Sequence, residues 1–170
     1  MKSTIYSNKF KIYKALMITY KAIETFLQSL EKLERKGKKN YLKIRQDISE
    51  EYSEIEDIVE LLQKGIAIKF GNSLGQKTMF KTRIPNATMR EGKSGGYRII
   101  SIVDKNEEEL VFLEVYPKKG KFAKKDLSQS EYIALLKKYL EQVLENTLKE
   151  VNINDELKVI EEENPTIEED

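Results

Sequence analysis

After Gly65 the hydrophobic period of the chain switches from helical to extended, and it stays extended as far as Tyr116. Thr78 to Ile84 alternates apolar and polar residues, and Pro85-Asn86 marks a turn. Tyr97 to Val103 is rich in β-branched residues, and Asp104-Lys105-Asn106 turns the chain into Leu110 to Tyr116. Connections this short leave no room for a crossover, so the three segments are expected to pair as an antiparallel meander.

Helical patterns flank this meander. From Phe10 to Leu33, Ile12, Leu16, Ile23, Phe26, Leu30 and Leu33 recur at the spacing of an amphipathic helix, which Gly37 ends among cations. A second helix is expected through Tyr52, Ile55, Ile58, Val59 and Leu62, with Ser53-x-x-Glu56 as its capping box and Gly65 as its stop. Ser128-x-x-Glu131 opens a third, whose apolar face reads Tyr132, Leu135, Leu136, Tyr139, Leu140, Val143, Leu144, Leu148. Helices, then strands, then a helix is an α+β order rather than βαβ alternation. A length of 170 residues suits one domain with an extension. The division expected is a helical N-terminal extension over 1–50, a folded domain over 51–150 and a flexible acidic tail over 151–170.

The chain has no cysteine and no histidine. Disulfides and thiolate metal sites are therefore excluded, and so is the commonest general base and metal ligand. Glu107-Glu108-Glu109 falls in a turn where solvated acids are ordinary, so no metal or other cofactor is expected. The apolar runs are too short to cross a bilayer, and residues 1–3 lead into no signal-peptide core, which suggests a cytoplasmic protein with no membrane partner.

A net charge of +1 conceals a division. Residues 64–125 hold fourteen Lys/Arg against six acids, a surplus of eight cations, while residues 151–170 hold eight acids against Lys158. A basic middle of this kind suits a phosphate-bearing polymer. The acidic tail could fold back over it as an internal mask, although a free, solubilising tail is the ordinary use of such a segment.

Ala87 to Ser94 fits a relaxed phosphate-loop pattern, with Gly92-Lys93-Ser94 at its end. That loop requires a helix starting at its Lys-Ser to aim amides at the phosphates. Here Gly95-Gly96 and then Tyr97-Arg98-Ile99-Ile100 follow, which oppose a helix, and a polar loop precedes in place of an apolar strand. The same glycines free the backbone for a tight hairpin with Arg90, Lys93 and Arg98 around it.

Four blocks in order, Phe80-Lys81-Thr82-Arg83-Ile84, Gly92-Lys93-Ser94-Gly95-Gly96-Tyr97-Arg98-Ile99-Ile100, Leu113-Glu114-Val115-Tyr116-Pro117-Lys118 and Asp126-Leu127-Ser128, resemble the RelE/HigB-like toxins of type II toxin-antitoxin systems. Tyr52-x-x-Ile55-x-Asp57-Ile58 and Leu62-x-x-Gly65 are similar to the helix before the sheet in that group. The likeness spans roughly residues 50–145. It implies helices packed on a curved antiparallel sheet, cleavage of mRNA on the ribosome, and a cognate antitoxin as partner. Relatives with the same fold inhibit DNA gyrase instead, and a chain that only binds RNA or an antitoxin is a further alternative. By the resemblance, Lys81, Arg83, Arg98 and Lys118 fall at the cationic catalytic positions. Pro117 and the inserted Lys119 to Lys125 depart from the pattern and leave Lys118 and Lys119 interchangeable for the last of these.

Cutting RNA through its own 2′-hydroxyl needs a base, cations for the charge building on phosphorus oxygens, and an acid for the leaving 5′-oxygen. Without histidine, lysine is the remaining base, and neighbouring cations with partial burial favour its neutral form. The expected roles are Lys81 as base, Arg83 and Arg98 as transition-state clamps and Lys118 as acid or second stabiliser. Tyr116 could stack on a base or donate its hydroxyl, or serve equally well as a core tyrosine at a strand end, and Arg90, Lys93, Lys119, Lys121, Lys124 and Lys125 are expected to meet RNA phosphates.

Overall fold

The computed structural model describes residues 18–69 and 74–161. The meander forms as the alternation predicts. β3 (Lys77–Ile84) pairs antiparallel with β4 (Tyr97–Asp104), which pairs antiparallel with β5 (Glu109–Pro117), with one bulge at Ile100/Ser101. β2 (Gly65–Ala67) adds antiparallel to the outer edge of β3. Every residue of β4 from Tyr97 to Val103 is buried, so this strand is covered on both faces.

The opposite edge departs from the sequence reading. Thr19–Ala22, expected inside a long helix, forms β1, parallel to β5 from Thr19↔Glu109 to Ala22↔Phe112. Tyr20 and Ala22 point inward, while Lys21 meets Glu109 at 2.8 Å. The short run Ile18-Thr19-Tyr20 satisfies either period, and a free edge of β5 with a β-branched and an aromatic partner decides for strand. The helix proper, α1, is Glu24–Lys36, with Phe26, Leu30 and Leu33 buried as predicted. Its expected first turns, residues 10–17, lie outside the described residues.

A short α2 (Lys38–Tyr41) and α3 (Ile44–Ser53) follow, the latter burying Ile44, Ile48 and Tyr52. Ser53 therefore ends a helix instead of capping one. The cap is Asp57, whose carboxylate accepts from the Glu60 N–H at 2.8 Å to open α4 (Ile58–Gln63). The predicted box at Ser128 is present in both directions and opens α5 (Gln129–Glu145). Of the apolar face predicted for α5, Tyr132, Leu135 and Tyr139 are buried, while Leu140, Val143 and Leu144 are exposed.

The described part of the tail, residues 151–161, also departs from expectation, while residues 162–170 lie outside the described residues. β6 (Lys149–Asn152) pairs antiparallel with β1, and β7 (Lys158–Val159) pairs with β6. Val151, Ile153 and Leu157 are buried, and Arg45 donates to the Glu156 carbonyl at 3.2 Å. The acids of 154–156 ride on a turn anchored by those three apolar side chains, so residues 151–161 are part of the fold. The sheet order is β2-β3-β4-β5-β1-β6-β7. One hydrophobic core runs from Tyr20 through Ile44 and Phe112 to Leu157, and α3 crosses residue 50, so no boundary in the core falls there.

Two helical layers sandwich the sheet. On one side Phe26 stacks on Phe112 at 4.8 Å and Tyr41 meets Tyr97 at 6.1 Å, which seats α1 and α2 there. On the other, Lys77 donates to the Tyr139 hydroxyl at 2.9 Å, which seats α5. By alternation, Lys81 and Arg83 share the α5 face with Lys77, and Arg98 lies on the face opposite to Tyr97.

Asp47 on α3 ties the Pro85–Glu91 loop to this scaffold. Its side chain is 5% exposed and accepts from the Ala87 N–H at 3.2 Å. Burial pushes the carboxyl up to about 6. A carboxyl raised in the folded state stabilises below its unfolded value near 4, and that contribution is lost as pH rises through 6. Asp47→Asn keeps the acceptor and removes the buried charge, so it is expected to be more stable than wild type at pH 8, and by a wider margin there than at pH 4. Urea unfolding at pH 4 and pH 8 checks this; equal stability of the two proteins at pH 8 would contradict it.

Candidate active site

The register of the meander assembles the predicted cations from three adjacent strands. Lys81 and Arg83 stand two residues apart on β3, about 7 Å along one face. Arg83 is directly opposite Arg98 on β4, and Arg98 is directly opposite Tyr116 on β5. Lys118 follows at the end of β5, where its N–H donates to the Gly96 carbonyl at 2.9 Å. Its ammonium lies 3.0 Å from Asp126 Oδ1, and the Lys81 ammonium lies 3.8 Å from the same oxygen. Lys118 and Lys119 are thereby distinguished: Lys119 turns away to Glu91 at 3.0 Å, and its carbonyl accepts from the Tyr41 hydroxyl.

Beside the cluster, Lys81, Arg83 and Lys93 line a cleft of about 340 Å³ whose other wall is Gln63, Lys64, Gly65 and Ile66. Gly65 is required where this wall begins, because a Cβ there would run into the Lys81 carbonyl. Arg83 is exposed and has no carboxylate partner among the described residues. Lys93 pairs with Glu51 at 2.9 Å.

The assignment of Arg98 changes, and the alternative left open at Tyr116 closes. Arg98 is 4% exposed, and its guanidinium donates to the carbonyls of Lys93 (3.0 Å), Ser94 (2.9 Å) and Tyr97 (3.3 Å). Burial, then the charge of Arg83, hold it below its usual value. With its terminal nitrogens used on backbone, Arg98 orders the Gly-Lys-Ser loop rather than presenting a free fork to a ligand. Tyr116 is 1% exposed and packs beneath Lys118, so it has no face on which a nucleobase could stack. Burial, with Tyr132 and Asp126 beside it, pushes its hydroxyl upward.

The remaining predicted RNA contacts do not join the cluster. Arg90 is exposed in the turn closed by Asn86 and Glu91, with a positive φ of 56°. Lys121 lies 5.4 Å from the Phe122 ring, in a loop held to α2 by Asn40 and Tyr41. The Lys93-Ser94 pair leads through Gly95-Gly96 straight into β4, so no helix begins there, in agreement with the rejection of a phosphate loop.

Sequence reading passed over Asp126, which the structure puts at the centre. A signal was available, since Asp126 is the single acid between residues 115 and 130. Lys118 and Lys81 hold its carboxyl below the usual range. Of the expected tail, β6 and β7 lie at the edge of the sheet remote from β3, so the described acids Asp155 and Glu156 do not face the cations; residues 162–170 lie outside the described residues.

No protein-family model, no curated protein and no solved structure matches the chain.

Proposed function

We propose that this protein is a metal-independent endoribonuclease of the RelE/HigB kind, the toxin of a type II toxin-antitoxin pair, which cuts mRNA on the ribosome. One observation carries the reading: Lys81, Arg83 and Lys118 converge from β3 and β5 on one face of an antiparallel sheet, beside an open cleft. In this reading Lys81 takes the proton of the 2′-hydroxyl, Arg83 stabilises the charge developing on the phosphorane, and Lys118 serves the leaving 5′-oxygen. Arg98 acts as a positioning residue that holds Lys93 at the cleft. A cognate antitoxin, the ribosome and mRNA are the partners implied, in the cytoplasm.

The Asp126 carboxylate favours a second reading. Lys118 donates to it at 3.0 Å and Lys81 forms an ion pair with it at 3.8 Å, an arrangement that also suits a protein of this kind that inhibits DNA gyrase or only binds RNA or an antitoxin. Induced expression separates the two. Fragmented mRNA with intact chromosomal DNA is the result expected of the nuclease; DNA breaks with intact mRNA would reverse the choice.

A further inference from the structure

We propose that Asp126 occupies an oxyanion site built for a phosphate group, and that a phosphate-bearing ligand binds by displacing it. The inference deepens the proposed function by naming what the cation cluster recognises. It rests on a mismatch of charge and of exposure. Lys81 and Lys118, from two different strands, meet one oxygen of one carboxylate. Two ammoniums thus share a single carboxylate oxygen.

Exposure is divided in the same sense. The side chains of Lys81 and Lys118 are 20% exposed, whereas that of Asp126 is 63% exposed. The cations belong to the sheet and the carboxylate comes from the loop before α5, so the anion can leave without disturbing the strands. An exposed ion pair is worth little, and trading it for another anion costs correspondingly little. A phosphate group offers two non-bridging oxygens, one for each ammonium, where Asp126 presents a single oxygen to both.

Lys81 also fixes where the rest of the ligand goes. It touches Asp126 and lines the 340 Å³ cleft, a volume within the range of small-ligand sites. A phosphate seated between Lys81 and Lys118 therefore leaves its substituent in the cleft, against Ile66 and under Arg83 and Lys93. That arrangement fits one nucleotide of an RNA strand.

The test compares wild type, Asp126→Asn and Lys81→Gln/Asp126→Asn in two binding measurements that require no cleavage. Anisotropy of a labelled, fully 2′-O-methylated oligoribonucleotide, which cannot be cut through its own hydroxyl, reports the strand. Thermal unfolding with inorganic phosphate reports the free anion. Asp126→Asn is expected to bind the oligoribonucleotide about three- to tenfold more tightly, as removal of one close competing charge allows, and the double variant is expected to lose that gain. A gain for both probes identifies the phosphate group as the recognised element, and a gain confined to inorganic phosphate assigns the site to the free anion. Affinities of Asp126→Asn for both probes equal to or weaker than those of wild type would overturn the proposal. Tighter binding by a protein that never cuts RNA would retain this site and remove the nuclease reading.

Discussion

Gly96→Ala is expected to destabilise the protein by about 3 kcal/mol or more. An alanine Cβ at this position would collide with the carbonyl oxygen of Ile84 and stand 2.9 Å from its carbon, both backbone atoms that cannot rotate aside. Relief requires β3 and β4 to part at the Ile84↔Tyr97 pair. The damage would then spread to β5, because the Gly96 carbonyl accepts from the Lys118 N–H. Gly92→Ala is the control, since nothing lies within 4 Å of a Cβ there, and a change within about 0.5 kcal/mol is expected. Urea unfolding followed by far-ultraviolet circular dichroism measures both. A Gly96→Ala protein as stable as wild type would show that the hairpin does not close as described.

The second large effect concerns chemistry. Under the proposed function, Arg83→Ala is expected to slow RNA cleavage on the order of a hundred- to a thousandfold, the loss typical of one donor to a developing oxyanion. The folded protein should hardly change, because Arg83 is exposed and makes no ion pair among the described residues. Arg98→Ala is expected to behave differently. Removing its guanidinium strands the carbonyls of Lys93, Ser94 and Tyr97, so stability and cleavage should fall together. Cleavage rates and unfolding midpoints for both variants distinguish the two roles; cleavage by Arg83→Ala at the wild-type rate would remove it from the chemistry.

What could be read from sequence follows from how local each signal is. The β3-β4-β5 meander announced itself through alternation and short turns, and α5 through reciprocal bonds between Ser128 and Glu131, all settled by near neighbours in the chain. β1 was hidden because its partner β5 lies far along the chain and its few residues fit a helix equally well. β6 and β7 were hidden by composition: acids around Asp155 and Glu156 suggest a solvated tail, while Val151, Ile153 and Leu157 fasten the segment to the core.

The candidate site divides the same way. Strand spacing was enough to put Lys81 with Arg83, and register then brought Arg98 opposite. The loop conformation that spends the Arg98 guanidinium on carbonyls leaves no trace in residue spacing. Neither does the turn after Pro117 that sends Lys118 to Asp126 and Lys119 to Glu91. Tyr116 stayed open in the sequence because an aromatic residue at a strand end serves a core or a binding surface equally well, and only the packing of α5 over β5 decides for the core.

The proposal that these cations cut RNA through its own 2′-hydroxyl is tested most directly by mapping the ends that the purified protein leaves on mRNA bound to translating ribosomes. Fragments bearing a 2′,3′-cyclic phosphate and a 5′-hydroxyl, absent when the nucleotide before the cut is 2′-deoxy, are the expected result. Uncut mRNA, or cleavage that survives loss of that hydroxyl, would contradict it.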